Sequence, residues 1–161
     1  MATTTRIFQA SPDQVWNVLA DGWLYPLWVV GASRMRGVDP EWPDAEAELY
    51  HSIGVWPVLI DDSTQVTHSV PQRSLALRGR GWPLGEADIV INLRASGAGT
   101  EVDIKEDVAA GLGRFIPKPL RDQLIGWRNV ETLRRLALVV EGREANPLTT
   151  SAIAPTPGEL R

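Results

Sequence analysis

The sequence predicts an α+β domain in which one antiparallel sheet buries a single face beneath a long C-terminal helix. Three observations carry that expectation. Residues 117–142 read as one amphipathic helix, residues 45–104 alternate apolar and polar side chains with period two, and a capped helical segment starts at Ser11. A helical stripe and a one-sided sheet each need an apolar partner, and within one domain each can cover the other.

Residues 3–9 form a short β-like segment. Ser11 then suits an N-cap, Pro12 the first helical turn and Gln14 the third position of a capping box. Val15, Trp16, Val18 and Leu19 give this helix its apolar side, and Gly22 is the expected stop. In residues 23–32 (WLYPLWVVGA), Pro26 prevents one continuous helix, so a short helix or turn dense in large side chains is expected. Residues 33–39 read as a strand and 40–44 as a loop.

From there the period is two. Leu49, His51, Ile53 and Val55 share one parity, with Tyr50 and Trp56 on the other. Pro57 marks a turn, after which Val58, Ile60, Asp62, Thr64 and Val66 alternate again. Residues 71–73 turn the chain into Leu75 and Leu77. Glycines between 79 and 85 punctuate the next connection, and Ala87, Ile89, Ile91 and Leu93 make the clearest strand. Residues 96–99 (SGAG) are a hairpin turn, followed by Val102, Ile104 and Glu106 on one parity. Short alternating strands joined by tight turns argue an antiparallel sheet with one wet face.

The last helix opens near Pro119 and stops near Gly142, about 34 Å at ~1.5 Å per residue. Ile125, Gly126, Asn129, Val130, Leu133, Leu136, Ala137 and Val140 fall on its broad apolar side, while Arg128, Glu131, Arg134 and Arg135 fall mainly on the other. Gly126 fills no space and Asn129 is an amide among hydrocarbons. A gap beside a polar group suits a binding cavity. The plainer reading is close helix–sheet approach at Gly126 and a paired amide at Asn129.

Bulk composition narrows the function. The 161 residues fit one domain with a core that needs no staples, and the absence of cysteine excludes disulfides and thiol chemistry. The net charge is −4 with acids and bases interspersed, which argues against nucleic-acid binding. The polar start does not read as a signal peptide, and no apolar run reaches the roughly 20 residues that span a bilayer. A cytoplasmic protein is expected. Seven tryptophans against two phenylalanines is an unusual aromatic choice.

The order of these segments resembles the START-like superfamily, most closely its SRPBCC group of polyketide cyclase/dehydrase-type and Bet v 1-like proteins. The segments that carry the resemblance are ASPDQVWNVLAD (10–21), WPLGEADIVINL (82–93), GTEVDIKED (99–107) and NVETLRRLALVVEG (129–142). It spans about residues 3–143 and implies a single START-like domain over 1–143, with an irregular tail at 144–161. It also implies a helix-grip fold, a curved antiparallel sheet around the C-terminal helix with an apolar cavity between them. Family members bind lipids, polyketides, sterols or plant hormones, and only some are enzymes. No shared catalytic motif exists to carry over.

Within that frame the expected ligand-binding residues are Trp28, His51, Ile53, Ile91, Ile104, Glu106, Ile125, Gly126 and Asn129. Glu106 and His51 are the candidate acid–base pair, set against a rim carboxylate and a satisfied core histidine. Arg128 is read either as closing over a carboxylate-bearing ligand or as a solvated charge. Trp23, Trp28, Tyr50, Trp56, Trp82 and Trp127 are candidates for an aromatic pocket, though parity sets Tyr50 and Trp56 opposite His51. Asp61 and Asp62 lack further ligands at metal spacing, so no metal or cofactor is expected. GxSxG, P-loop, GxGxxG and HExxH motifs are absent.

The first functional expectation is a binding protein for a small hydrophobic, lipid- or polyketide-like molecule that enters past residues 23–30. The alternatives are a cyclase/dehydrase-type enzyme using the same cavity and a protein-interaction module with an exposed tryptophan patch. A homodimer is carried beside the monomer.

Overall fold

Ala2–Phe8 (β1) lies at one edge of a seven-stranded sheet, although it is the first strand of the chain. The computed structural model describes residues 2–81, 85–110, 115 and 117–145. After β1 come Pro12–Leu19 (α1), a 3₁₀ turn at Gly22–Leu24, Tyr25–Trp28 (α2), Ala32–Val38 (β2), Glu48–Val55 (β3), Val58–Val70 (β4), Ser74–Gly81 (β5), Gly85–Ser96 (β6), Gly99–Ala110 (β7) and Lys118–Ala145 (α3). The strand order is β1-β7-β6-β5-β4-β3-β2, with every neighbouring pair antiparallel. The sheet is open and curved, and α3 lies in its concavity, which is the α+β helix-grip arrangement.

Local chemistry explains the entry into α1. The backbone N–H of Gln14 donates to Ser11 Oγ at 3.3 Å, and the N–H of Ser11 donates back to Gln14 Oε1 at 2.6 Å. That closes the capping box, with Pro12 in the first turn. The helix ends at Leu19, before Gly22. Gly22 instead begins the 3₁₀ turn and is buried where a Cβ would come within 2.6 Å of Leu49 Cδ2. Close packing against β3, not helix termination, is what this glycine permits.

The sheet buries the parity that alternation assigns. Leu49, Val66, Leu75, Leu77, Ile91, Leu93, Val102 and Ile104 form its inner face, and Leu133, Leu136, Ala137 and Val140 of α3 lie against them. A bulge between Val66 and His68 reverses the parity of β4, which leaves His68 exposed. On α3, Thr132 belongs to the buried stripe and Val130 does not, being 54% exposed. The stripe runs 129, 132, 133, 136, 140, the three- and four-residue steps of one helical face. The helix also continues past Gly142 to Ala145. The remainder of the tail lies outside the described residues, as does Trp82. Among the described residues no helix is long and apolar enough to cross a membrane.

Candidate functional site

Among the described side chains of α3, the buried ones begin at Asn129 and continue to Val140. In its first turns Leu120, Leu124 and Trp127 face solvent, and Asp122, Ile125, Gly126 and Arg128 are half-buried. The helix is thus anchored by its C-terminal half and overhangs the sheet with its N-terminal half. A small cavity sits at that boundary. Its walls are Tyr25, Trp28 and Val29 after β1 and α1, Leu77 from β5, Ile89 and Ile91 from β6, Ile104 and Glu106 from β7, and Arg128, Asn129 and Thr132 from α3. Its volume is about 30 Å³, room for a water molecule or two.

The apolar part of the wall joins the Tyr25 and Trp28 rings to aliphatic side chains, and its charged groups stand on two facing elements. Arg128 Nη2 donates to Glu106 Oε1, an ion pair between the helix above and the strand below. Glu106 Oε2, Asn129 Nδ2 and Trp28 Nε1 are each buried with no hydrogen-bond partner among the described residues. Unpartnered buried polar atoms are rare in folded proteins because each costs desolvation without return. All three belong to residues that wall this one cavity.

Behind Tyr25 lies a second polar cluster. His51 Nε2 and Thr64 Oγ1 are 3.0 Å apart, and Thr64 Oγ1 is 3.1 Å from the Tyr25 hydroxyl. The Tyr25 and His51 rings are 5.1 Å apart between centroids. Burial pushes the His51 imidazole down to about 4, and the positive charge of Arg36 adds to the effect. Burial likewise raises the Tyr25 phenol above its ordinary value, and it raises the Asp62 carboxyl. His51 is therefore neutral at pH 7.

Of the sequence-predicted site residues, the cavity brings together Trp28, Ile91, Ile104, Glu106 and Asn129. His51 is buried but stands behind Tyr25, off the wall. Ile53 pairs with Ile60 farther along the sheet, and Ile125 is half-buried on the overhanging turn. Gly126 is also off the wall; a Cβ added there meets nothing within 4 Å. Of the aromatic candidates, Trp28 alone is on the wall among the described residues, while Trp23, Tyr50, Trp56 and Trp127 are exposed. Arg128 is committed to Glu106. Tyr25 and Thr132 are wall residues that sequence reasoning passed over. Their signal was spacing: Tyr25 stands three residues before Trp28 in a one-turn helix, and Thr132 three after Asn129.

Two larger grooves lie on the surface. One of about 390 Å³ runs past Asn17, Trp23, Val38, Pro40 and Trp42. The other, about 660 Å³, is bordered by Arg36, Tyr50, Asp61, Arg80 and Glu86. Both open broadly to solvent, so neither matches the enclosed, mainly apolar character of a small-molecule site. Among the described residues no three His, Cys, Asp or Glu side chains converge as metal ligands would.

The family model described as polyketide cyclase / dehydrase and lipid transport matches residues 2–141. No curated protein matches the sequence. Among solved structures, protein NE0264 from Nitrosomonas europaea is similar at 18% identity and a TM-score of 0.67, over 89% of this chain and 95% of its own. The di-domain ARO/CYC protein StfQ from the steffimycin biosynthetic pathway shares 8% identity with a TM-score of 0.68, over 89% of this chain and 51% of its own. Ara h 8.0201 shares 9% identity with a TM-score of 0.65, over 87% of this chain and 96% of its own.

Proposed function

The chain belongs to the polyketide cyclase / dehydrase and lipid transport family, and on that premise we propose that it binds a small hydrophobic molecule between α3 and the sheet. The observation that carries this reading is the cavity walled by Ile89, Ile91 and Ile104, where Glu106 and Asn129 each keep an unpartnered polar atom. Apolar walls supply the drive, roughly 25 cal/mol per Å² of ligand surface buried before association costs. The polar atoms supply orientation. The family description and the likeness to StfQ support a lipid- or polyketide-like guest.

A ligand pocket usually measures about 300–1,000 Å³, so a hollow of about 30 Å³ must widen on uptake. The overhang of α3 supports such widening. Among its described side chains none before Asn129 is fully buried, and elements of that kind open at low cost. Lifting the helix about its anchored half enlarges the space beside Arg128 and Asn129.

Binding is favoured over catalysis by the burial of His51 and by where it stands. A general acid or base works best with a pKa near the working pH. Burial moves His51 down to about 4 and Tyr25 upward, both away from neutrality. His51 and Glu106 also do not share the cavity wall.

The neutral fluorophore N-phenyl-1-naphthylamine tests the reading. The wild-type protein should give a saturable rise in its emission. Ile89→Trp should cut that rise at least fivefold at unchanged circular dichroism, because Ile89 is a half-buried wall residue. Absence of any saturable signal from the wild type overturns the proposal.

A further inference from the structure

The charge balance of the cavity wall says what kind of polar end the guest carries. Among the described residues Arg128 is the one cation on the wall, and it is already paired with Glu106. The wall is therefore neutral as it stands. A carboxylate brought into it adds an unmatched negative charge beside Glu106, in a space with little room for water. The unpartnered atoms are of both kinds. Glu106 Oε2 accepts only, whereas Asn129 Nδ2 and Trp28 Nε1 donate only.

Resting on the binding function proposed above, we infer that the site selects an uncharged polar end carrying both a hydroxyl and a carbonyl, and rejects carboxylate-ended lipids. The hydroxyl donates to Glu106 Oε2. The carbonyl accepts from Asn129 Nδ2 or Trp28 Nε1. The hollow of about 30 Å³ has room for little more than the two oxygen atoms of that end, and the remainder of the ligand occupies the space opened under the overhanging turns of α3. Arg128 serves to neutralise Glu106 and is not a carboxylate receptor.

Two probes of equal shape separate the charge effect from hydrophobic burial. In 4-hydroxynonan-2-one and 3-hydroxyoctanoate the same hydroxyalkyl chain ends in a methyl ketone or a carboxylate. Calorimetric titration of the wild-type protein at pH 7.5 should show the ketone binding at least tenfold more tightly. Glu106→Gln removes the wall's negative charge and leaves Arg128 free, so the gap should shrink or reverse. Equal or tighter binding of the acid by the wild type overturns the inference while leaving the binding function standing. Binding of neither probe, with no response to N-phenyl-1-naphthylamine, overturns both. A gap that persists unchanged in a folded Glu106→Gln protein overturns the role given to Glu106.

Discussion

Arg128 donates to Glu106, so the helix above the cavity and the strand below it are tied by one charge pair whose acid is buried and whose base reaches solvent. The asymmetry matters. The carboxylate has one oxygen matched by the guanidinium, while the other is buried with no hydrogen-bond partner among the described residues.

Removing the base should therefore cost more than removing the pair. Arg128→Ala leaves a buried charge uncompensated and should destabilise the fold by about 1–3 kcal/mol. The figure stays at the low end for broken ion pairs because 40% of the Arg128 side chain is in water. Adding Glu106→Gln to Arg128→Ala should recover part of the loss. Urea unfolding midpoints measure both. An Arg128→Ala midpoint equal to wild type would strip the pair of any role in holding the helix.

His51 makes stability pH-dependent in a definite direction. Its folded value, about 4, lies below the ordinary 6.5, so between those values the unfolded chain binds more protons than the folded one. Stability from this group is fully present above pH 6.5 and is lost as pH falls toward 4. Asp62 acts oppositely: its raised value makes the folded state more tolerant of acid. The comparison must therefore be between wild type and His51→Gln, in which Asp62 and Arg36 are retained. The wild-type urea midpoint should fall between pH 7 and pH 4.5 more steeply than that of His51→Gln. The difference should be on the order of 2 kcal/mol. Parallel pH profiles would mean that His51 is as easily protonated folded as unfolded.

These two predictions also mark where the sequence stops being legible. Alternation along β3 and β7 is enough to turn His51 and Glu106 inward, because parity in a one-sided sheet is strongly constrained. The capping box at Ser11 and Gln14 is local chemistry and reads directly. The partner of Glu106 does not. Arg128 is 22 residues away and sits on a helix whose rotation over the sheet depends on how Thr132, Leu133 and Leu136 pack. The volume of the hollow is likewise set by the depth to which α2 drops Tyr25 and Trp28 onto the sheet, a tertiary quantity with no period to reveal it. Gly126 shows the same limit: a missing side chain reads as a gap, but only the fold tells whether that gap faces the cavity.

The capping box gives a third, purely local prediction. Ser11→Ala removes the acceptor for the Gln14 N–H and should cost about 1 kcal/mol. Gln14→Ala should cost less, since the Ser11 N–H it frees is at the surface and can turn to water. Thermal melts of the two variants give the order. A larger loss for Gln14→Ala would mean that its side chain does more than cap.

Gly22 and Gly126 should respond to the same substitution with opposite signs. At Gly22 an added Cβ meets Leu49 Cδ2 at 2.6 Å and Val38 Cγ1 at 2.8 Å. Leu49 is fully buried and has nowhere to retreat, so Gly22→Ala should cost about 1–3 kcal/mol through overpacking. At Gly126 nothing lies within 4 Å, and the residue is inside α3, where glycine is about 0.5–1 kcal/mol worse than alanine for lack of conformational restraint. Gly126→Ala should therefore raise Tm by about 1–4 °C, at the few degrees per kcal/mol expected for a domain of this size. A drop in Tm for Gly126→Ala would place a neighbour where the structure has open space.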